Sequence, residues 1–95
     1  MFYVYILHSA LLNQFYIGFT SNLEQRLELH LNPTENRKFT AKAKDWKIYF
    51  KIECETKTQA LAIEKHIKNM KSKVYIENLL RYPEISIKLL EKYKV

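Results

Sequence analysis

The chain has one glycine, one cysteine and two prolines in 95 residues. A single cysteine, Cys54, excludes an internal disulfide framework and a cysteine-rich zinc site. So little glycine and proline leaves no flexible linker, and no stretch is repeated or compositionally simple. No apolar run approaches the roughly 20 residues of a membrane span. The opening MFYVYILHSALL also lacks the basic lead-in of an export signal. At 47% apolar and 14% aromatic, the composition is not that of a disordered chain. The expectation is a single domain over 1–95, cytoplasmic, with no membrane partner.

Acidic charge is scarce and unevenly placed. The net charge of +6 divides into −2 over residues 1–35, +7 over 36–73 and +1 beyond. A basic block within a compact fold points to a polyanion such as nucleic acid. A solvated lysine-rich surface is the plainer alternative, and charge alone leaves the two level.

The order of elements follows from pattern. FYVYILH (2–8) is aromatic, β-branched and apolar at both parities, as a strand covered on both faces is. Tyr3, Tyr5 and Leu7 share one face; Phe2, Val4 and Ile6 share the other. FYIGF (15–19) reads as its hairpin partner. Ser21-Asn22-Leu23-Glu24 reads as a capping box, opening a helix with a Leu23, Leu27, Leu31 stripe that ends at Asn32-Pro33. Arg26 and His30 lie one turn apart beside that stripe. WKIYFKIE (46–53) alternates, with Trp46, Ile48, Phe50 and Ile52 inward and Lys47, Tyr49, Lys51 and Glu53 outward. Thr56-x-x-Gln59 caps a long helix with core stripe Ala60, Ile63, Ile67 and Met70; Glu64, Lys68 and Lys71 flank it. A short helix follows over about 73–81, and Pro83 opens a last one through Tyr93. The expected fold is α+β, a small three-stranded, mostly antiparallel sheet flanked by helices in the order β-β-α-β-α-α-α.

The lone glycine, Gly18, falls inside the second strand, where it costs roughly 0.5–1 kcal/mol against alanine. Such a glycine marks a bulge or the close approach of a ligand or of packed neighbours. By parity it shares a face with Tyr16, which would give a tyrosine beside a bare patch, a floor for a ligand.

VYI (4–6), YIG (16–18), Arg26, His30 and Glu64, in this order and spacing, resemble the GIY-YIG nuclease superfamily. The similarity runs through about residue 80 and is closest to the short, stand-alone bacterial GIY-YIG proteins. It leaves an extra C-terminal helix at about 83–93. The resemblance implies an endonuclease with catalytic residues Tyr5, Tyr16, Arg26, His30 and Glu64, and with Glu64 as the metal ligand. Asn78 is the nearest match to a further asparagine found in some relatives. Two positions depart from the pattern: Tyr3 replaces the first-motif glycine, and Phe19 stands where several active relatives have lysine.

These parts suit phosphodiester hydrolysis. Glu64 is a hard oxygen donor for Mg²⁺ or Mn²⁺, and the scattered acids favour one divalent ion over two. Arg26 can pair with a phosphate through two hydrogen bonds. Either phenol could orient or deprotonate water, with Tyr16 favoured because Gly18 would leave it room. Gly18, Lys38, Lys42, Lys44, Lys68 and Lys71 are the nucleic-acid-binding candidates. The expected partner is DNA, by analogy branched or damaged DNA, cleaved with low sequence specificity in repair or processing. The rival readings are a catalytically weak or inactive binding module of the same fold, and a homodimer or other protein contact through Ile85, Ile87, Leu89 and Leu90.

Overall fold

A computed structural model describes residues 1–31 and 45–94, the backbone alone for 28–31. The elements are β1 (Phe2–Ser9), β2 (Gln14–Thr20), α1 (Leu23–Leu31), β3 (Lys47–Cys54), α2 (Lys57–Met70), α3 (Lys73–Arg81) and α4 (Pro83–Lys92). The expected order and the α+β class hold. The three strands form one antiparallel sheet in the order β2-β1-β3. No helix among the described residues is long and apolar enough to cross a membrane.

Because β1 is central, both of its faces are buried, and its two parities seed two clusters. Val4 and Ile6 join Ile52, Cys54, Ala60, Ile63, Ile67, Ile76, Leu79 and Leu89 on the α2 side. Tyr5 and Leu7 join Trp46 on the other, with Tyr16, Leu23 and Leu27 packed against them. Burial raises the pKa of the Cys54 thiol, as expected of a small buried apolar side chain.

The third strand departs from simple alternation. Ile6 pairs with Phe50 but Leu7 pairs with Ile48, so Tyr49 is an extra residue in a bulge. The bulge resets the parity. Trp46 lies on the Tyr5 face, opposite Phe50 and Ile52; Ile48 is 45% exposed; and Tyr49 turns inward against Phe15. The inward set of Trp46, Ile48, Phe50 and Ile52 is corrected accordingly.

Two smaller corrections concern helix ends. The cap of α1 is Asn22, whose Oδ1 accepts the Gln25 N–H at 3.1 Å, and not Ser21. Thr20 decides between them, because its hydroxyl accepts the Asn22 N–H at 3.1 Å and holds that residue in place. At the far end of α2, Met70 is 45% exposed and leaves the core stripe. The helix closes there on Lys71 in the left-handed conformation (φ 48°), and the chain turns off into α3.

The last helix spends its apolar face on the core. Leu89 is buried, Ile85 and Leu90 pack against the main cluster, and only Ile87 of the four is largely exposed. Gln59 ties α4 to the start of α2: its Nε2 donates to the Leu90 carbonyl at 2.9 Å while its Oε1 accepts the Glu55 N–H. His66 Nδ1 and the Tyr93 hydroxyl share a further hydrogen bond of 2.9 Å. The surplus apolar face expected of this helix shrinks to one isoleucine.

Candidate active site

The β1–β2 register decides how the two tyrosines meet. Tyr5 lies directly opposite Gly18, and Leu7 opposite Tyr16, so the phenols are diagonal neighbours on one face. Their ring centroids are 6.2 Å apart. The space over Gly18 is taken by the Tyr5 ring: a Cβ built there would stand 2.5 Å from the Tyr5 hydroxyl oxygen. Gly18 is therefore buried beneath a side chain and is not a bare floor for a ligand. The room it makes belongs to Tyr5, not to Tyr16.

The hairpin is held by a residue that pattern reading passed over. Asp45, just before β3, accepts the Ser9 hydroxyl at 2.6 Å and the Leu11 N–H at 2.9 Å. These bonds hold its carboxyl below the usual carboxylate pKa. The one sequence signal was an acid set among lysines, with Lys42 and Lys44 before it and Lys47 after it.

Arg26 reaches the site from the first turns of α1. Leu23 and Leu27 seat that helix on the Tyr5 cluster, and Arg26 beside them is half-buried. His30 follows one turn later in α1, but its side chain lies outside the described residues. Glu64 arrives from α2. The Thr56 hydroxyl caps this helix by accepting the Gln59 N–H at 3.1 Å, and Ala60, Ile63 and Ile67 bury its stripe. Glu64 follows Ile63 by about 100° of rotation, which puts it at the stripe's border. Its side chain is 18% exposed, with Lys68 Nζ 3.4 Å away. An i, i+4 pair this open to solvent contributes little, about 0.3–0.5 kcal/mol.

The Tyr5 hydroxyl registers all of these groups. Burial raises its pKa most, well above the ordinary phenol value, and Tyr16 adds to the rise. The Arg26 guanidinium opposes it; a hydrogen bond with Tyr16 and the Glu64 carboxylate reinforce it. Three of the five nominated catalytic residues, from β2, α1 and α2, thus act on a fourth, the buried Tyr5 phenol of β1. Burial favours the protonated form of the Tyr5 phenol.

The remaining candidates sit elsewhere. Phe19, the departure from the lysine pattern, stacks on Phe2 on the α2 face, away from Tyr5 and Tyr16. Asn78 is half-buried in α3, and its carbonyl accepts the Tyr82 N–H. Lys68 and Lys71 border a groove on the other side of β2. Lys38, Lys42 and Lys44 lie outside the described residues. A separate hollow of about 230 Å³, bordered by Glu53, Glu55 and Glu91, contains none of the nominated residues.

Among the described residues, no three His, Cys, Asp or Glu side chains are grouped to hold an ion. A cation caged by several protein ligands does not fit the described site. The lone Glu64 carboxylate suits the kind of hard divalent ion that takes one or two carboxylates and completes its shell with water and phosphate oxygens.

A family model described as the GIY-YIG catalytic domain matches residues 1–78. Neither the curated proteins nor the solved structures contain a significant match.

Proposed function

The chain belongs to the GIY-YIG nuclease superfamily, and from that premise we propose a metal-dependent endonuclease that hydrolyses DNA phosphodiester bonds. The observation that supports the reading is the convergence of Tyr16, Arg26 and Glu64 on the Tyr5 hydroxyl.

Each residue has a role its surroundings allow. Arg26 offers fixed charge and paired N–H donors to the non-bridging phosphate oxygens, where charge grows in the transition state. Tyr5, 1% exposed, keeps its proton and orients Tyr16 and the attacking water by hydrogen bonding. Tyr16 is only half-buried and is the phenol assigned to take the water's proton. A phenol free in water costs about 4 kcal/mol to ionise at pH 7. Arg26 offsets part of that cost, and the His30 imidazole is a further candidate for the task. Glu64 would hold the divalent ion, which when bound supplies Lewis-acid stabilisation of the phosphoryl oxygens.

Among the described residues there is no added recognition helix or zinc module, so the proposal is low sequence specificity. Branched or damaged DNA and a cytoplasmic role in repair or processing extend the reading by analogy. Lys38, Lys42, Lys44, Lys68 and Lys71 are its proposed backbone contacts.

Nicked, flapped and duplex DNA incubated with Mg²⁺, Mn²⁺ or EDTA test the reading. Cleavage is expected with either metal and not with EDTA. Tyr16→Phe is expected to lower it by about 10²–10⁴-fold, the range for a general base. Tyr5→Phe should lose less. If both variants cleave at near wild-type rates, phenol catalysis is wrong. A second reading, a binding module without activity, draws on the Glu64–Lys68 pair, which already neutralises the lone carboxylate. DNA binding that weakens steeply with salt, without cleavage under any metal, would favour it.

A further inference from the structure

Lys68, Lys71 and Lys73 border a groove of about 270 Å³ between β2 and the α2–α3 junction. Its walls are apolar, with Phe15 and Ile17 from β2 and Ile67 from α2. None of the described residues lining it is acidic. Because β2 is an edge strand, the groove and the two phenols lie on opposite sides of a single strand. Glu64 precedes Lys68 by about one turn and Lys71 by about 10 Å along the helix, at 1.5 Å per residue.

We propose that this groove holds an unpaired nucleotide of the DNA strand flanking the reacting phosphate. The lysines complement the backbone charge, and a base lies against the partly exposed Phe15 and Ile17, with the buried Ile67 beneath them. Duplex DNA stacks its base faces out of reach, so an apolar wall beside cations has a use only where the strand is open. The volume agrees, lying just under the roughly 300–1,000 Å³ of small-molecule sites and far below the width of a duplex. Lys73 is tied down, its Nζ donating to the Asn13 carbonyl at 2.6 Å, and Lys68 faces Glu64. Lys71 is exposed at the end of α2. The inference rests on the nuclease reading only for the position of the reacting phosphate.

Fluorescence anisotropy of the full chain in EDTA, with labelled oligo(dT) and a blunt duplex as probes, tests it. The variant is Lys71→Gly combined with Lys73→Gln; glycine suits the left-handed φ of 48° at position 71, so the helix end survives. Lys88→Gln on α4 controls for lost surface charge, and thermal melting checks the fold. The expected result is oligo(dT) binding weakened about tenfold or more, with a salt dependence shallower by roughly 0.7 for each phosphate no longer neutralised. Duplex binding, to which Lys71 also contributes as a backbone contact, should weaken by a clearly smaller factor than oligo(dT) binding. Equal losses on both probes would reduce the lysines to a general field and overturn the groove, as would no loss on oligo(dT). Cleavage absent under Mg²⁺ and Mn²⁺, with the oligo(dT) effect intact, would sink the nuclease reading and leave the groove standing.

Discussion

Gly18→Ala is expected to destabilise the protein by about 1–3 kcal/mol, the usual cost of overpacking a filled core, and to disable the site. The added Cβ would stand 2.5 Å from the Tyr5 hydroxyl oxygen and 2.6 Å from its Cζ, well inside contact distance. Tyr5 is 1% exposed and cannot swing clear into solvent. Backbone freedom is not the reason for the glycine, since its φ is not positive. Tyr5→Leu removes the obstructing atoms, so the double variant should lose less than the sum of the singles, by about 1 kcal/mol or more. Denaturant titration reads both values. A Gly18→Ala protein as stable as wild type would show that the phenol is not seated as described.

Glu64→Ala should lower metal-dependent cleavage by on the order of 10³-fold, the upper end for losing one preorganised stabiliser of the transition state. Stability should hardly move. Among the described residues, the ion pair given up is the partly exposed one with Lys68, and Glu64 stands at the border of the stripe that Ala60, Ile63 and Ile67 bury. Duplex binding in EDTA should stay within a few-fold, because a carboxylate adds nothing to phosphate affinity without a cation. Glu64→Gln keeps the shape and should fail equally. Rates within tenfold of wild type in both variants would remove Glu64 from the chemistry.

Much of this arrangement was legible before any coordinates. Composition marks the first strand, and its two parities separate Tyr5 and Leu7 from Val4 and Ile6, as the two clusters show. Parity also puts Tyr16 and Gly18 opposite Phe15, Ile17 and Phe19. What parity cannot supply is register. Whether Gly18 faces Tyr5 or Leu7 depends on the turn, and that turn is held by Asp45 from 34 residues away. The Tyr49 bulge escaped for a related reason: alternation assumes one residue per pleat, and an inserted residue reverses every inference before it. Met70 continued a sound helical period past the point where anything remained to cover it.

The candidate site was legible as a set of residues and not as an electrostatic balance. Tyr5 and Tyr16 look alike in sequence. Their difference comes from three-dimensional burial, which raises the Tyr5 pKa and leaves Tyr16 half-buried. Phe19 looked like a missing cation, yet its position faces Phe2 and the core. The basic residues 38, 42 and 44 and the His30 side chain lie outside the described structure, so their roles rest on sequence alone.

Amide NMR spectra recorded while Mn²⁺ is added test the metal assignment most directly, since the paramagnetic ion broadens signals near its seat. Broadening should centre on Glu64 and extend to Tyr5, Tyr16 and Arg26, and it should vanish in Glu64→Ala. Broadening centred on Glu53, Glu55 and Glu91 instead, or unchanged by the substitution, would contradict a single shared site.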